Sequence, residues 1–327
     1  MTGIFESVLN FIYGLIGNYG ASVVVFTLLV RLVLLPLDFK SRKSMRAMTK
    51  VQPKVQALQK KYANDKEKLN QKMAELYRRE GVSPMSGCLP MIVSMAVLWI
   101  MWGALRVVAN TELAKQCIAL IANGSVEYEG FLWIKNIWMP DSPFTSVIAN
   151  QNSLAMVNPE TWGLAFAEMS QQLGAAQLET LAGYSITAET ISSETVLAAL
   201  QTLPTYAEQT KLWSFMPFVN LLITQLNIFE NNNGLFILPI MSAVSQYLMT
   251  LTQPQQPNAE GQNSTGQFMK YFFPLFSLWI CASQNALFSL YWVVSNLFAW
   301  GQSVVLNKMF ANMEQKEKAA KKEGILK

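Results

Sequence analysis

The sequence predicts an all-α integral membrane protein: five transmembrane helices, a cytoplasmic helical hairpin and an extracytoplasmic helical insert. Three observations predict it. Hydrophobic residues make up 51% of the 327 and charged ones only 14%, where soluble domains carry nearer a quarter charged. Apolar runs of span length recur along the chain. Lys and Arg crowd one connecting segment while Asp and Glu crowd another, an asymmetry that marks the two sides of a membrane.

Residues 1–19 contain no Lys or Arg, so they lack the basic start of a signal peptide. Ile4, Phe5, Val8, Leu9, Ile12, Leu15 and Ile16 recur at helical spacing, with Glu6 and Asn10 opposite. That pattern predicts a short amphipathic helix lying in the membrane interface. Gly17-Asn18-Tyr19-Gly20 reads as a turn.

The first span, 20–37, contains Arg31 inside Val23–Pro36. A guanidinium keeps its charge, and burying it in a span costs from about 3 to above 10 kcal/mol. Arg31 lies seven residues from Asp38, roughly 10 Å at the helical rise. Two readings follow: the side chain snorkels to the headgroups, or it faces a water-filled cavity. Thr27, four residues earlier, puts a hydroxyl on the same face.

Residues 38–85 hold thirteen Lys and Arg against five Asp and Glu, a net +8. Met45, Met48, Val51, Val55, Leu58 and Tyr62 recur every three or four residues, as do Leu69, Met73 and Leu76 beyond Ala63-Asn64-Asp65. That predicts two amphipathic helices in a hairpin, with Pro53 kinking the first. The hairpin is either a solvated spacer or a docking arm for lipid headgroups, ribosomal RNA or an emerging peptide.

The second span, 86–106, has Pro90 in its first turn and Arg106 as the far-side cap. Residues 107–233 carry three Lys against eleven Asp and Glu, a net −8. The basic 38–85 is therefore expected inside and 107–233 outside. Within the latter, Asn158-Pro159-Glu160 starts a helix that Gly183 closes, and Ser192-Ser193-Glu194 starts another. The apolar stretch 213–229 is interrupted by Asn220, Thr224, Gln225 and Asn227. A sixth span there would put the basic tail 307–327 outside, so an interfacial helix is preferred.

The third span covers 234–252 and the loop 253–267 is cytoplasmic. Residues 268–306 would make roughly 58 Å of helix against a core of about 30 Å, so they divide into spans 268–283 and 285–306. The last carries a stripe of Ser289, Trp292, Asn296 and Ser303. It either bonds helices together or faces the same cavity as Arg31. Cys88, Cys117 and Cys281 have no metal spacing, and two of them fall in expected spans, which argues against a disulfide framework. There is no histidine, and no nucleophile–base pair, metal cluster or phosphate loop is read. No cofactor or metal is expected, nor enzymatic activity.

One ordered set of motifs is specific. Arg31 in its Leu/Val-rich span is followed by Pro36, Gln52-Pro53-Lys54, Leu76-Tyr77, Gly81-Val82-Ser83-Pro84 and Gly87-Cys88-Leu89-Pro90. Phe131-Leu132-Trp133-Ile134, Ile237-Leu238-Pro239-Ile240, Leu290-Tyr291-Trp292, Ser295-Asn296 and Gln302 complete it. The set resembles the YidC/Oxa/Alb family of membrane protein insertases, in the five-span form without the large periplasmic domain, over about 1–143 and 231–310. Two departures stand out: Ser94 and Ala96 where the family has Gln and Pro, and about ninety residues near 144–230 that it lacks.

The resemblance implies a multi-pass protein of the bacterial plasma membrane, N-terminus outside and C-terminus cytoplasmic. It implies a hydrophilic groove centred on Arg31 and lined by Thr27, Gln246 and Trp292, with Tyr291, Asn296 and Gln302 as further lining residues. Implied partners are nascent membrane proteins, the lipid bilayer, a ribosome at the basic hairpin and tail, and the Sec translocon as an open option. The competing class is a secondary transporter or channel with Arg31 as an anion site. Against it, no inverted repeat and no second intramembrane charge is read. A purely structural membrane scaffold is the third class.

Overall fold

The structure, a computed structural model, describes residues 2–82, 89–210, 231–252 and 263–322. Among these there are twelve α-helices and no strand, only two isolated bridges. The first four are α1 (Thr2–Ile16), α2 (Tyr19–Lys61), α3 (Lys66–Glu80) and α4 (Leu89–Asn123). Five short ones follow: α5 (Gln151–Leu154), α6 (Pro159–Ser170), α7 (Ala175–Gly183), α8 (Ser193–Thr202) and α9 (Pro204–Gln209). The last are α10 (Ile237–Thr252), α11 (Asn263–Ser283) and α12 (Ala286–Lys322). The motif residues 83–88, the stretch 213–229, loop residues 253–262 and tail residues 323–327 lie outside the described residues.

Polar side chains start the helices where the sequence places breaks. Asn18 accepts from the Ala21 amide (3.0 Å), Asp65 from Lys68 (3.0 Å), and Asn158 from Thr161 (2.7 Å) beside Pro159. Ser192 accepts from the Thr195 amide (3.2 Å) and Asn285 from Phe288 (2.9 Å). Gly81, at φ 64, closes α3 in the left-handed conformation that glycine adopts without penalty.

Two local expectations are corrected. Arg106 caps nothing: α4 continues to Asn123, and the guanidinium lies 5.5 Å from the Trp102 ring centroid. The helix begun at Pro159 stops at Ser170, and Gly183 ends the separate α7. α2 runs on unbroken through 37 and 38, and α12 through 306 and 307. Pro36 and Pro53 lie inside α2. Among the described residues α2 alone combines spanning length with an 18-residue window of mean hydropathy 2.2. The 16-residue α10 is apolar but shorter, about 24 Å.

The chain divides into two compact units. The first comprises Met1–Phe26, Ile100–Ala243 and Phe276–Val293. Its centre is the irregular segment 129–141, which is bonded to the first turns of three helices. Glu129 Oε1 accepts from the Tyr19 amide at the start of α2 (2.5 Å). Asp141, fully buried, accepts from the amides of Leu235 (2.9 Å), Phe236 (3.2 Å) and Leu238 (2.7 Å) and from Trp133 Nε1 (3.2 Å). These four donors hold the carboxylate at the N-terminus of α10, where the helix dipole favours it. They also keep 234–236 out of the helix, so α10 begins three residues later than the expected span. The Ile137 and Met139 carbonyls accept from Leu287 (3.1 Å) and Ala286 (2.9 Å) at the start of α12. Buried Asn233 ties 136, 139 and 140 together by donating to all three carbonyls.

The expected insert 144–230 leaves and re-joins this segment at one place. Val147 N donates to Asn231 O (3.0 Å) and Asn233 N to Thr145 O (2.8 Å), so its two ends run side by side. Leu154, Trp162, Leu181, Val196 and Leu200, from helices α5 to α8, are buried. Lys115 of α4, paired with Glu112 (3.1 Å) and Glu168 (2.6 Å), ties α6 down. Burial alone would lower its pKa, but the Glu168 hydrogen bond and the Glu112 charge outweigh it and raise it. A cleft of about 300 Å³ between α4 and α6 is lined by these three residues and Gln172.

The second unit comprises Thr27–Trp99, Val244–Leu275 and Val294–Lys327. The hairpin of α2 and α3 closes over a small core of Val51, Val55 and Leu76, backed by Leu58, Met73, Tyr77 and Val82. Val51, Val55, Leu58, Met73 and Leu76 are among the positions that the helical spacing of the basic segment singles out; Tyr77 and Val82 are not.

Candidate functional site

The apolar run of α2 leaves Arg31 half-buried, and its neighbour in space is Ser295 of α12. Arg31 Nε donates to Ser295 Oγ at 2.9 Å, and Nη2 donates to the same hydroxyl. Charge-assisted bonds of this kind are worth about 1.5–3 kcal/mol. They offset part of the cost of the guanidinium's position.

The next residue on α12 serves α10. Asn296 Nδ2 donates to Gln246 Oε1 at 3.0 Å, with both side chains buried. Adjacent residues of α12 thus reach two different helices inside apolar sequence. Thr27, one turn before Arg31, is also buried.

The polar series continues along the same pair of helices. Gln302 Nε2 donates to Asp38 Oδ2 (3.3 Å), and Arg42 Nη1 donates to Ser303 Oγ (2.7 Å). Arg46 Nη2 donates to Asn307 Oδ1 (3.1 Å), and its guanidinium lies 4.9 Å from the Phe310 centroid. Lys50 pairs with Glu314 at 3.1 Å. Ser303 Oγ and Asn307 Nδ2 both donate to Thr252 O, the last carbonyl of α10, at 2.9 Å each. Partner numbers rise together on both helices, so α2 and α12 run parallel here. Half-burial lowers the pKa of Arg42; Asp38 opposes the shift and Arg46 adds to it.

The expected residues thus fall into groups. Arg31, Gln246, Asn296 and Gln302 each have a polar partner in the second unit, where Thr27 also lies. Tyr291 and Trp292 belong to the first unit, where both rings tilt against Phe288, at 6.3 and 5.6 Å. Trp292 Nε1 and Gln302 Oε1 are buried with no hydrogen-bond partner among the described residues. Such atoms cost about 1–3 kcal/mol when left unmet.

Ser295 was visible in sequence only as part of a motif, one residue off the polar stripe. The signal that points to it is the requirement that an intramembrane arginine find an acceptor. Asp38, Arg42 and Arg46 read as loop charges until their partners on α12 are seen. Lys270 is a charge that the sequence reading passed over. It lies in the first turns of the expected fourth span, 5.6 Å from the Tyr247 ring and 5.8 Å from that of Tyr271. No group of three or more His, Cys, Asp or Glu that could hold a metal occurs among the described residues.

Comparison with known proteins bears on this arrangement. The family described as 60Kd inner membrane protein matches residues 11–315. The membrane protein insertase YidC of Fusobacterium nucleatum is 46% identical over 91 residues, 28% of this chain and 44% of that protein. That of Clostridium perfringens is 36% identical over 150 residues, 44% of this chain and 56% of the relative. That of Anaeromyxobacter dehalogenans is 35% identical over 142 residues, covering 43% and 23%. These alignments span about half or less of the relatives' length. The family match takes in Arg31, Ser295, Gln302 and nearly all the rest of the sequence, and the chain belongs to the 60Kd inner membrane protein family, the YidC/Oxa family that its ordered motifs resemble.

Proposed function

We propose that the chain is a membrane protein insertase of the bacterial plasma membrane. It has five spans, an outer N-terminus and a cytoplasmic C-terminus, with 38–85 and 307–327 inside and 107–233 outside. The observation that carries the reading is Arg31, held by Ser295 inside the one described helix that combines spanning length with an apolar window, and followed along α2 and α12 by further polar pairs. The topology is supported by α2, α10 and α12, which all begin at segment 129–141, as spans starting from one side must.

The mechanism follows from solvation. Inserting a small membrane protein moves a polar tail across hydrocarbon. A hydrophilic groove lined by Arg31, Thr27, Gln246, Asn296, Gln302, Tyr291 and Trp292 shortens the dry path and hydrates the tail partway. The orphaned polar atoms of Trp292 and Gln302 suit such a wet wall. Fixed positive charge at Arg31 attracts acidic tails, which are costly to bury alone. The apolar segment then partitions into lipid at about 0.8 kcal/mol per buried methylene. No nucleotide hydrolysis is required. The exposed bases of the hairpin and tail receive the substrate from a ribosome, whose RNA attracts them electrostatically.

The test is insertion of paired single-span substrates, differing only in tail acidity, into vesicles with wild-type or Arg31→Ala protein. Arg31→Ala should impair the acidic tail more than the neutral one, and Arg31→Lys should retain much of the activity. Equal loss for both tails by folded Arg31→Ala would refute the electrostatic role. Solute flux without insertion would favour a transporter.

A further inference from the structure

The Phe131-Leu132-Trp133-Ile134 motif plays no part in the groove, yet its geometry is unusual. Phe131 N donates to Ile134 O (2.9 Å) and Ile134 N to Phe131 O (3.0 Å), closing a two-residue hairpin with Leu132 and Trp133 at its tip. Leu132 occupies the first tip position at φ 55. That position favours Gly, Asn or Asp, and a leucine there is strained. The side chain gains nothing from the protein in return, being 75% exposed.

Other apolar side chains surround the same knot. Phe144, 77% exposed, sits between Ser142 and Thr145, whose carbonyls accept from Gly234 (3.3 Å) and Asn233 (2.8 Å). Leu235, 47% exposed, donates its amide to the Asp141 carboxylate that Trp133 also caps. Phe236 is a second left-handed residue, at φ 64. The knot adjoins the start of α2 as well: Asn18 Nδ2 donates to Gly130 O (3.0 Å), and any side chain at Gly20 would overlap the Phe131 ring.

We propose that Leu132, Phe144 and Leu235 form a contact patch that dips into the headgroup–acyl boundary of the outer bilayer leaflet. The proposal rests on the membrane reading above. Lipid is the occupant because the patch is continuous with apolar surface on both sides. Leu15 and Ile16 are exposed at the end of α1, just before Asn18, and Ile240 and Met241 are exposed on α10, just after Leu235. The patch also sits at the first turns of α2 and α10, the level at which spans leave hydrocarbon. Burial in the interface would offset the strain at Leu132.

The experiment uses the full chain in phospholipid nanodiscs with Cys88→Ala; Cys117 and Cys281 are buried and stay unlabelled. Nitroxides are placed at Leu132→Cys and Phe144→Cys, at Val33→Cys on the exposed face of α2, and at Gln171→Cys in the insert. Collision with oxygen, which concentrates in lipid, is compared with collision with an aqueous nickel chelate. Positions 132 and 144 should favour oxygen as 33 does, while 171 favours nickel. Nickel-favouring behaviour at 132 and 144, with 33 in lipid, overturns the patch alone and leaves it free for a protein partner. Nickel access at 33 as well overturns the membrane reading beneath it.

Discussion

Replacing Asp141 with asparagine should unfasten the start of α10. The substitution keeps the shape of the side chain, so it opens no cavity. The carboxylate uses Oδ1 for the Leu235 and Phe236 amides and Oδ2 for the Leu238 amide and the Trp133 indole. An asparagine can present an oxygen to only one of these pairs. Its NH2 must then face two N–H donors, in a place where no part of residue 141 reaches solvent. Two charge-assisted bonds at about 1.5–3 kcal/mol each are lost, roughly 3–6 kcal/mol together. A change of that size should lower the melting temperature in detergent by about 4–9 °C. Hydrogen exchange at Leu235, Phe236 and Leu238 should accelerate, while exchange in α6 and α8 changes little. A melting point within about 2 °C of wild type, with unchanged exchange at those three amides, would refute the reasoning.

Four further outcomes are expected. Ser295→Ala should reduce insertion of acidic tails by about tenfold or more, the equivalent of one lost charge-assisted bond, and should add nothing to Arg31→Ala; additive losses would show that the two act separately. Exchange along the basic segment should be graded, slow to Lys50 where α12 holds α2 and faster across 51–82, which has only its own small core; uniform protection would count against a mobile receiving arm. Excising 149–229 and joining the ends with Asn-Gly should leave a protein that folds and elutes as one species, because Val147 and Asn231 are already paired; aggregation would show that the insert is needed to fold. Burial raises the pKa of Glu129, the Tyr19 amide bond partly opposes this and the Glu112 charge adds to it. Its stabilising share is therefore full below the ordinary 4.5 and lost as pH rises through the raised folded value, so Glu129→Gln should flatten the fall in melting temperature across that window.

Local chemistry was enough to locate five helix starts and the family. Asn18, Asp65, Asn158, Ser192 and Asn285 cap where single-residue preferences say they should, because a cap is satisfied within three residues of chain. Val51, Val55 and Leu76 were legible as a hairpin core because amphipathic spacing survives without knowledge of the partner. Arg31 stood out in the sequence because one charge in an apolar run requires an explanation. Its acceptor did not, since Ser295 is an ordinary small residue until α12 is laid beside α2. The same holds for Asp141, one acid among eleven in its segment by sequence, and the clamp on α10 only when 235–238 come back to it over ninety residues later. The exposure of Leu132 also required the fold. Periodicity reports which face of a helix is apolar, but a hairpin tip has no period, and what it presents is decided by the knot that holds it.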